Sequence, residues 1–230
     1  MPRLTDREFG DIVVRKHAAT RRITARIGPN GQLRITIPTS SPLAAVRLFL
    51  KTSRRQLRQL LSDHQHSHAY TKDQPIGKSH HLLIRPGNTP VRVSLSKQQI
   101  IAHVPDAAAI TTPPVQQLIR SKVLAALRRE AKHYLPRRVR YLAQQHGFQY
   151  QTVAVNHASS RWGSCSSRGT ISLNIALMTL PFELIDYVVV HELAHTRHMD
   201  HSRQFWQVVG RIDPQYRAHR DALAEHTPYI

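Results

Sequence analysis

Among the four histidines and two acids within residues 191–201, three imidazoles and a carboxylate stand out by their spacing: His191, Glu192, His195 and His201. Two residues four apart on an α-helix are turned by about 40° around its axis, so His191 and His195 project from one face and can close on a single ion. Glu192, one position on, cannot easily share that coordination site, but it can reach a water beside the ion and take its proton. Zinc suits such a donor set, because it lowers the pKa of bound water to roughly 7 and polarises a carbonyl under attack. The chemistry implied is metal-assisted hydrolysis.

The chain has 16 histidines but only five glutamates in 230 residues, and chance placement at that composition gives His-Glu-x-x-His in roughly two such chains in a hundred. The bland reading is a satisfied pair of helical histidines with Glu192 as a surface charge. Context favours the chemical one: Ile185, Val188, Val189 and Leu193 recur at near-helical spacing, and Pro181 suits a helix's first turn.

His198, Asp200, His201, His219 and Glu225 are all possible third donors. His198 continues the helical face, but seven residues of helix rise about 10.5 Å, too far for His191 and His198 to share one ion unless the helix breaks. His201 is better placed, six residues past His195 and beyond the polar stretch Thr196 to Asp200, where the chain can leave the helix and turn back. Metzincins share this ligand spacing, but they carry glycine where this chain has His198.

The elements that must position these groups come next. After Thr111-Thr112-Pro113-Pro114 the pattern turns helical, with Val115, Leu118, Ile119, Val123 and Leu127 on one side and Gly147 closing a later helical segment. Tyr150 to Val155 and Thr170 to Ile175 read as strands flanking a loop from Arg161 to Arg168, and the second strand is assigned as the edge on which an extended peptide adds. His157 and Asn174 are candidates for positioning substrate or stabilising an oxyanion, against a plain strand-end role. Trp162, Phe205 and Trp206 read as packing residues, the last two as an anchor for the turn that delivers His201.

In the first half, Ile23, Ala25 and Ile27 alternate with polar residues, as do Leu33, Ile35 and Ile37, with Gly28-Pro29-Asn30-Gly31 between them, a hairpin signal. Pro42 to Leu61 reads as one amphipathic helix: Val46, Phe49, Leu50, Leu57, Leu60 and Leu61 form a stripe, and Arg47, Lys51, Arg54, Arg55 and Arg58 fall within about 100° on another face. Residues 63–78 read as a polar loop or linker, in which His64, His66 and His68 lack the support of a built metal site. Short β-prone runs at His80 to Ile84, Val91 to Leu95 and Gln99 to Val104 complete the first domain. No internal repeat is legible.

Composition bounds the partners. Thirty-three basic residues face 14 acidic ones, a formal charge of +19, which attracts nucleic acid, anionic membrane or acidic protein without choosing among them. Further basic clusters at Arg15, Lys16, Arg21, Arg22, Arg137, Arg138 and Arg140 favour contact with DNA or another polyanion. No stretch approaches a membrane span and the N-terminus lacks an apolar signal core, so no membrane partner is expected. Cys165 is the only cysteine; it reads as a turn or core residue, and its solitude suits a reducing, cytoplasmic setting.

Ser160-Arg161-Trp162-Gly163-Ser164-Cys165, Leu173-Asn174, Ile185 through His195, and His201-Ser202 followed by Phe205-Trp206 resemble the YgjP-like metallopeptidases, relatives of the SprT-like zinc proteases. The resemblance is strong over the C-terminal half and weak before it; Asp200 stands where that family usually has Asn. It implies that His191, His195 and His201 bind Zn2+, that Glu192 is the catalytic base, and that the substrates are proteins or peptides, including proteins held on DNA. The expected architecture is α+β: a β-rich basic N-terminal domain with a basic helix over residues 1–110, then a zincin-like helix-and-sheet catalytic domain over residues 111–230. The competing reading is a nucleic-acid-binding module whose zinc is purely structural.

Overall fold

Alternating apolar residues build the first sheet. A computed structural model describes residues 3–28, 32–67, 69–71, 73–106, 108–158 and 160–230, with backbone only for residue 3 and residues 62–67. The chain divides into two units, Met1–Ala69 and Tyr70–Ile230, so the boundary expected at 110/111 falls inside the second.

The first unit contains β1 (Arg3–Asp6), β2 (Gly10–His17), β3 (Thr24–Ile27) and β4 (Leu33–Pro38), then α1 (Leu43–Thr52) and α2 (Arg54–Ser67). Its sheet has the order β1-β2-β4-β3, with β2 and β4 parallel and the other pairs antiparallel. Ile12, Val14, Leu33, Ile35 and Ile37 point to one face, where they bury against Val46, Leu50 and Leu57 of the helices. The hairpin of β3 and β4 lies where alternation placed it; 29–31 of its turn lie outside the described residues. The single helix expected over Pro42 to Leu61 is two, separated at Ser53, whose N–H donates to Phe49 O. The second runs on into residues expected as loop. His64 and His66 lie on that helix with side chains outside the described set, as is His68 altogether.

The second unit begins with β5 (Gln74–Ile76), β6 (His80–Pro86), β7 (Arg92–Ser96) and β8 (Gln99–Val104), ordered β5-β6-β8-β7. This repeats the first sheet: β6 and β8 are parallel and the outer pairs antiparallel. Val14 opposite Ile35 corresponds to Ile84 opposite Ala102, and both pairs are buried. The second sheet packs on α3 (Pro113–His146), one continuous helix of 34 residues where the sequence suggested segments. Gly147 closes it in the left-handed region at φ 66°, a conformation that costs glycine little.

After α3 come β9 (Thr152–Asn156), β10 (Gly163–Cys165) and β11 (Thr170–Asn174), then a short 3-10 turn at Ile175–Thr179, α4 (Phe182–Ala194), α5 (Arg203–Ile212) and α6 (Tyr216–Ala224). β11 is central, antiparallel to β10 and parallel to β9. It therefore has no free edge, and the edge expected there belongs to β10, inside the segment expected as loop. No described helix is long and apolar enough to cross a membrane. The mixed α+β character is as expected.

Candidate metal centre

α4 is apolar almost all round. Nine of its thirteen residues are buried, among them the β-branched Ile185, Val188, Val189 and Val190. These are indifferent helix formers, so packing rather than propensity holds the helix. Arg138 of α3 grips its flank, Nε and Nη2 each donating to an oxygen of Asp186 at 2.6 Å.

The helix ends at His195, whose N–H donates to His191 O. Arg197 and His198 then both donate to Ala194 O in a tight turn, and the chain doubles back. His201 Nε2 arrives 3.1 Å from His191 Nε2. One ring nitrogen from each of His191, His195 and His201 falls within 4.8 Å of the others, the only such cluster of possible metal donors among the described residues. His195 Nδ1 lies 3.0 Å from His198 O; donation to that carbonyl leaves Nε2 free as a ligand and fixes the ring. Burial, with the neighbouring imidazoles, pulls the His191 pKa down to about 4, so the ring is neutral and its lone pair available. These residues fit a divalent ion.

Phe205 is the floor of the cluster. It is fully buried, with its ring centroid 4.9, 4.6 and 4.8 Å from those of His191, His195 and His201. Ser202 starts α5 by accepting the Phe205 N–H, and Trp206 stacks on Tyr216 behind it.

Glu192 is buried beside this group, with Oε2 accepting no hydrogen bond from the protein. Burial pushes its pKa up to about 8, against a weaker downward pull from Arg161. The edge strand β10 lies against it: a Cβ added at Gly163 would meet Glu192 Oε1 at 2.6 Å and Cγ at 2.8 Å. Only glycine leaves the carboxylate where it is. This role of Gly163 is not legible in the sequence, since nothing in the residue order says which side chain its backbone faces.

The two tentative positioning residues are placed differently. Asn174 is buried, donating to Ala158 O and Arg161 O and accepting from Ala176 N, so its amide shapes the loop before β10. His157 is half-buried with Nε2 lacking a partner, and burial, with Arg120 and Arg128, lowers its pKa. Cys165 is partly buried, and burial together with Glu192 raises its thiol pKa.

No curated protein matches the chain significantly. Among solved structures, the crystal structure of the metallopeptidase zymogen of Pyrococcus abyssi abylysin is 26% identical, aligned over 38% of this chain and 89% of that one with a TM-score of 0.36. The sequence model of the family described as "YgjP-like, metallopeptidase domain" matches residues 21–226. That span crosses both units and holds the three histidines and Glu192, and the chain belongs to the YgjP-like metallopeptidase family.

Proposed function

We propose that this protein is a zinc-dependent peptidase in which His191, His195 and His201 hold the ion and Glu192 is the general base. The observation that carries the reading is the carboxylate of Glu192, buried with an unpartnered oxygen one residue from His191. A buried carboxyl oxygen without a hydrogen-bond partner costs stability, and such perturbed groups cluster at functional sites. The ion, when bound, lowers the pKa of water and polarises the scissile carbonyl. Burial alone holds the Glu192 carboxyl pKa at about 8; a divalent cation beside it would favour the ionised form, which then takes the proton of the attacking water and passes it to the leaving amine. β10 is a terminal strand of its sheet, and a terminal strand can take an extended peptide by main-chain hydrogen bonds, a recognition mode that tolerates many sequences. Proteins held on nucleic acid are a fitting substrate class given the basic surface.

A structural zinc site is closed by four protein ligands. Here no fourth donor joins the three histidines among the described residues, which favours an open coordination position and a catalytic role. The test is zinc content and casein hydrolysis in wild type beside Glu192→Gln. The expected result is near one zinc per chain in both, with hydrolysis reduced by about two to four powers of ten in the variant. Unchanged hydrolysis would remove Glu192 as the base, and His201→Ala with undiminished zinc would move the third ligand elsewhere.

A further inference from the structure

The first unit carries thirteen lysines and arginines against four acidic residues, and its two faces treat that charge differently. On the helical side, Arg54 pairs with Asp6 and Glu8, and Arg58 with Glu8. On the sheet face opposite the core, Arg15, Arg26 and Arg34 form no ion pair among the described residues. Arg26 and Arg34 stand directly opposite each other across β3 and β4, where like charges destabilise a sheet. Arg15 faces Thr36, two positions along from Arg34. Arg34 Nε is buried without an acceptor, and Arg15 and Arg26 are exposed. The acid of this face, Asp11, lies towards β1 and accepts from Thr5.

We propose that this open sheet face, centred on Arg15, Arg26 and Arg34, is a docking surface for the phosphate backbone of duplex DNA. Threonines 24 and 36 share it, adding short donors of the kind that contact phosphate oxygens. Beside Val13, Arg15, Thr24, Arg26, Arg34 and Thr36 the face carries the single imidazole of His17, opposite Pro38 at its end, and no Phe, Tyr or Trp, so it lacks the row of stacking platforms that single strands use. It also presents no large exposed apolar side chain to sink into a lipid surface. What remains is fixed positive charge matched to a closely spaced row of phosphates, which gives salt-dependent binding without base readout. The equivalent pair in the second unit's sheet is Ser94 opposite Ile101, so the arginine pair is no requirement of the topology. This proposal does not depend on the peptidase reading.

The experiment measures binding of the full-length protein to a short duplex of arbitrary sequence by fluorescence anisotropy, across roughly 50 to 200 mM salt. Three variants are compared with wild type: Arg15→Gln/Arg26→Gln/Arg34→Gln, the same positions changed to lysine, and a charge-matched control on exposed positions of α3, Lys132→Gln/Arg137→Gln/Arg140→Gln. The expected result is at least about a tenfold loss for the glutamine triple, with the log–log salt slope shallower by roughly three. The lysine triple should stay within about threefold, which also shows that the sheet still folds. Equal losses in the glutamine triple and the α3 control would overturn the proposal in favour of diffuse charge. So would salt-independent binding, or binding to phosphatidylglycerol vesicles without binding to DNA.

Discussion

The two four-stranded sheets share strand order, strand directions and inward pattern, yet differ in their outer faces and in what packs behind them. Ile12, Val14, Leu33 and Ile37 of the first correspond in register to Leu82, Ile84, Ile100 and Val104 of the second, and all are buried. The outer faces diverge, with Arg26 and Arg34 at the positions that Ser94 and Ile101 occupy. What lies behind each sheet diverges too. The first has two short helices and its own small core. The second shares one continuous core with α3, α4 and Phe205 beneath the three histidines. All the buried polar or charged residues among those described, His80, Asn174 and Glu192, lie in the second unit. A common scaffold thus closes its own small core in one place and joins the core beneath the histidine cluster in the other.

The largest effects should come from truncating equivalent core positions. Ile12→Ala and Leu82→Ala remove side chains that are fully buried, and each should destabilise its own unit by about 2–5 kcal/mol. Their consequences should differ. Leu82 shares its core with α4, so on the zinc proposal its loss should lower the denaturant concentration at which the ion is released, while Ile12→Ala should leave zinc retention near wild type. Hydrogen exchange resolved by segment, read beside metal content, checks this. If Ile12→Ala releases zinc as readily as Leu82→Ala, the two cores are not separate.

A smaller effect confined to the second unit is expected from Gly163→Ala. The added methyl group must displace the Glu192 carboxylate, and misplacing a catalytic group by about 1 Å can cost up to a hundredfold. Hydrolysis should therefore fall by about ten- to a hundredfold with zinc content unchanged. Full activity in this variant would show that Glu192 can shift without consequence, against its assigned role.

How much of this was legible depends on whether the signal is local. His191 and His195 were readable because i and i+4 share a helical face, and His201 because a polar stretch lies where the helix must break. The hairpin of β3 and β4 was readable from strict alternation. The sheet repeat was not, because inward positions ask only for an apolar residue of suitable size, so Ile35 and Ala102 can be equivalent without resembling each other. β1 was hidden because a four-residue edge strand has too few positions to show a period. The role of Gly163 depends on a contact with Glu192, 29 positions away in sequence, and the edge given to β11 belongs to β10 because three-residue strands vanish into apparent loops. Ser53, which divides the basic helix, carries no breaker signal of the Gly or Pro kind.

The smallest effect is the sharpest probe of the comparison. Arg26→Ser/Arg34→Ile places the second sheet's cross-strand pair into the first. It removes two like charges from directly opposed positions and relieves a buried guanidinium nitrogen that has no acceptor, so the first unit should gain about 0.5–1 kcal/mol. If the pair costs stability and is dispensable to the fold, its use lies in contact outside the chain, as the docking proposal holds. The double variant should therefore be more stable to urea and bind DNA more weakly, with casein hydrolysis at the wild-type rate. A loss of stability would mean that the arginines support the sheet through their methylene stems, and that the outer faces differ for packing rather than for binding.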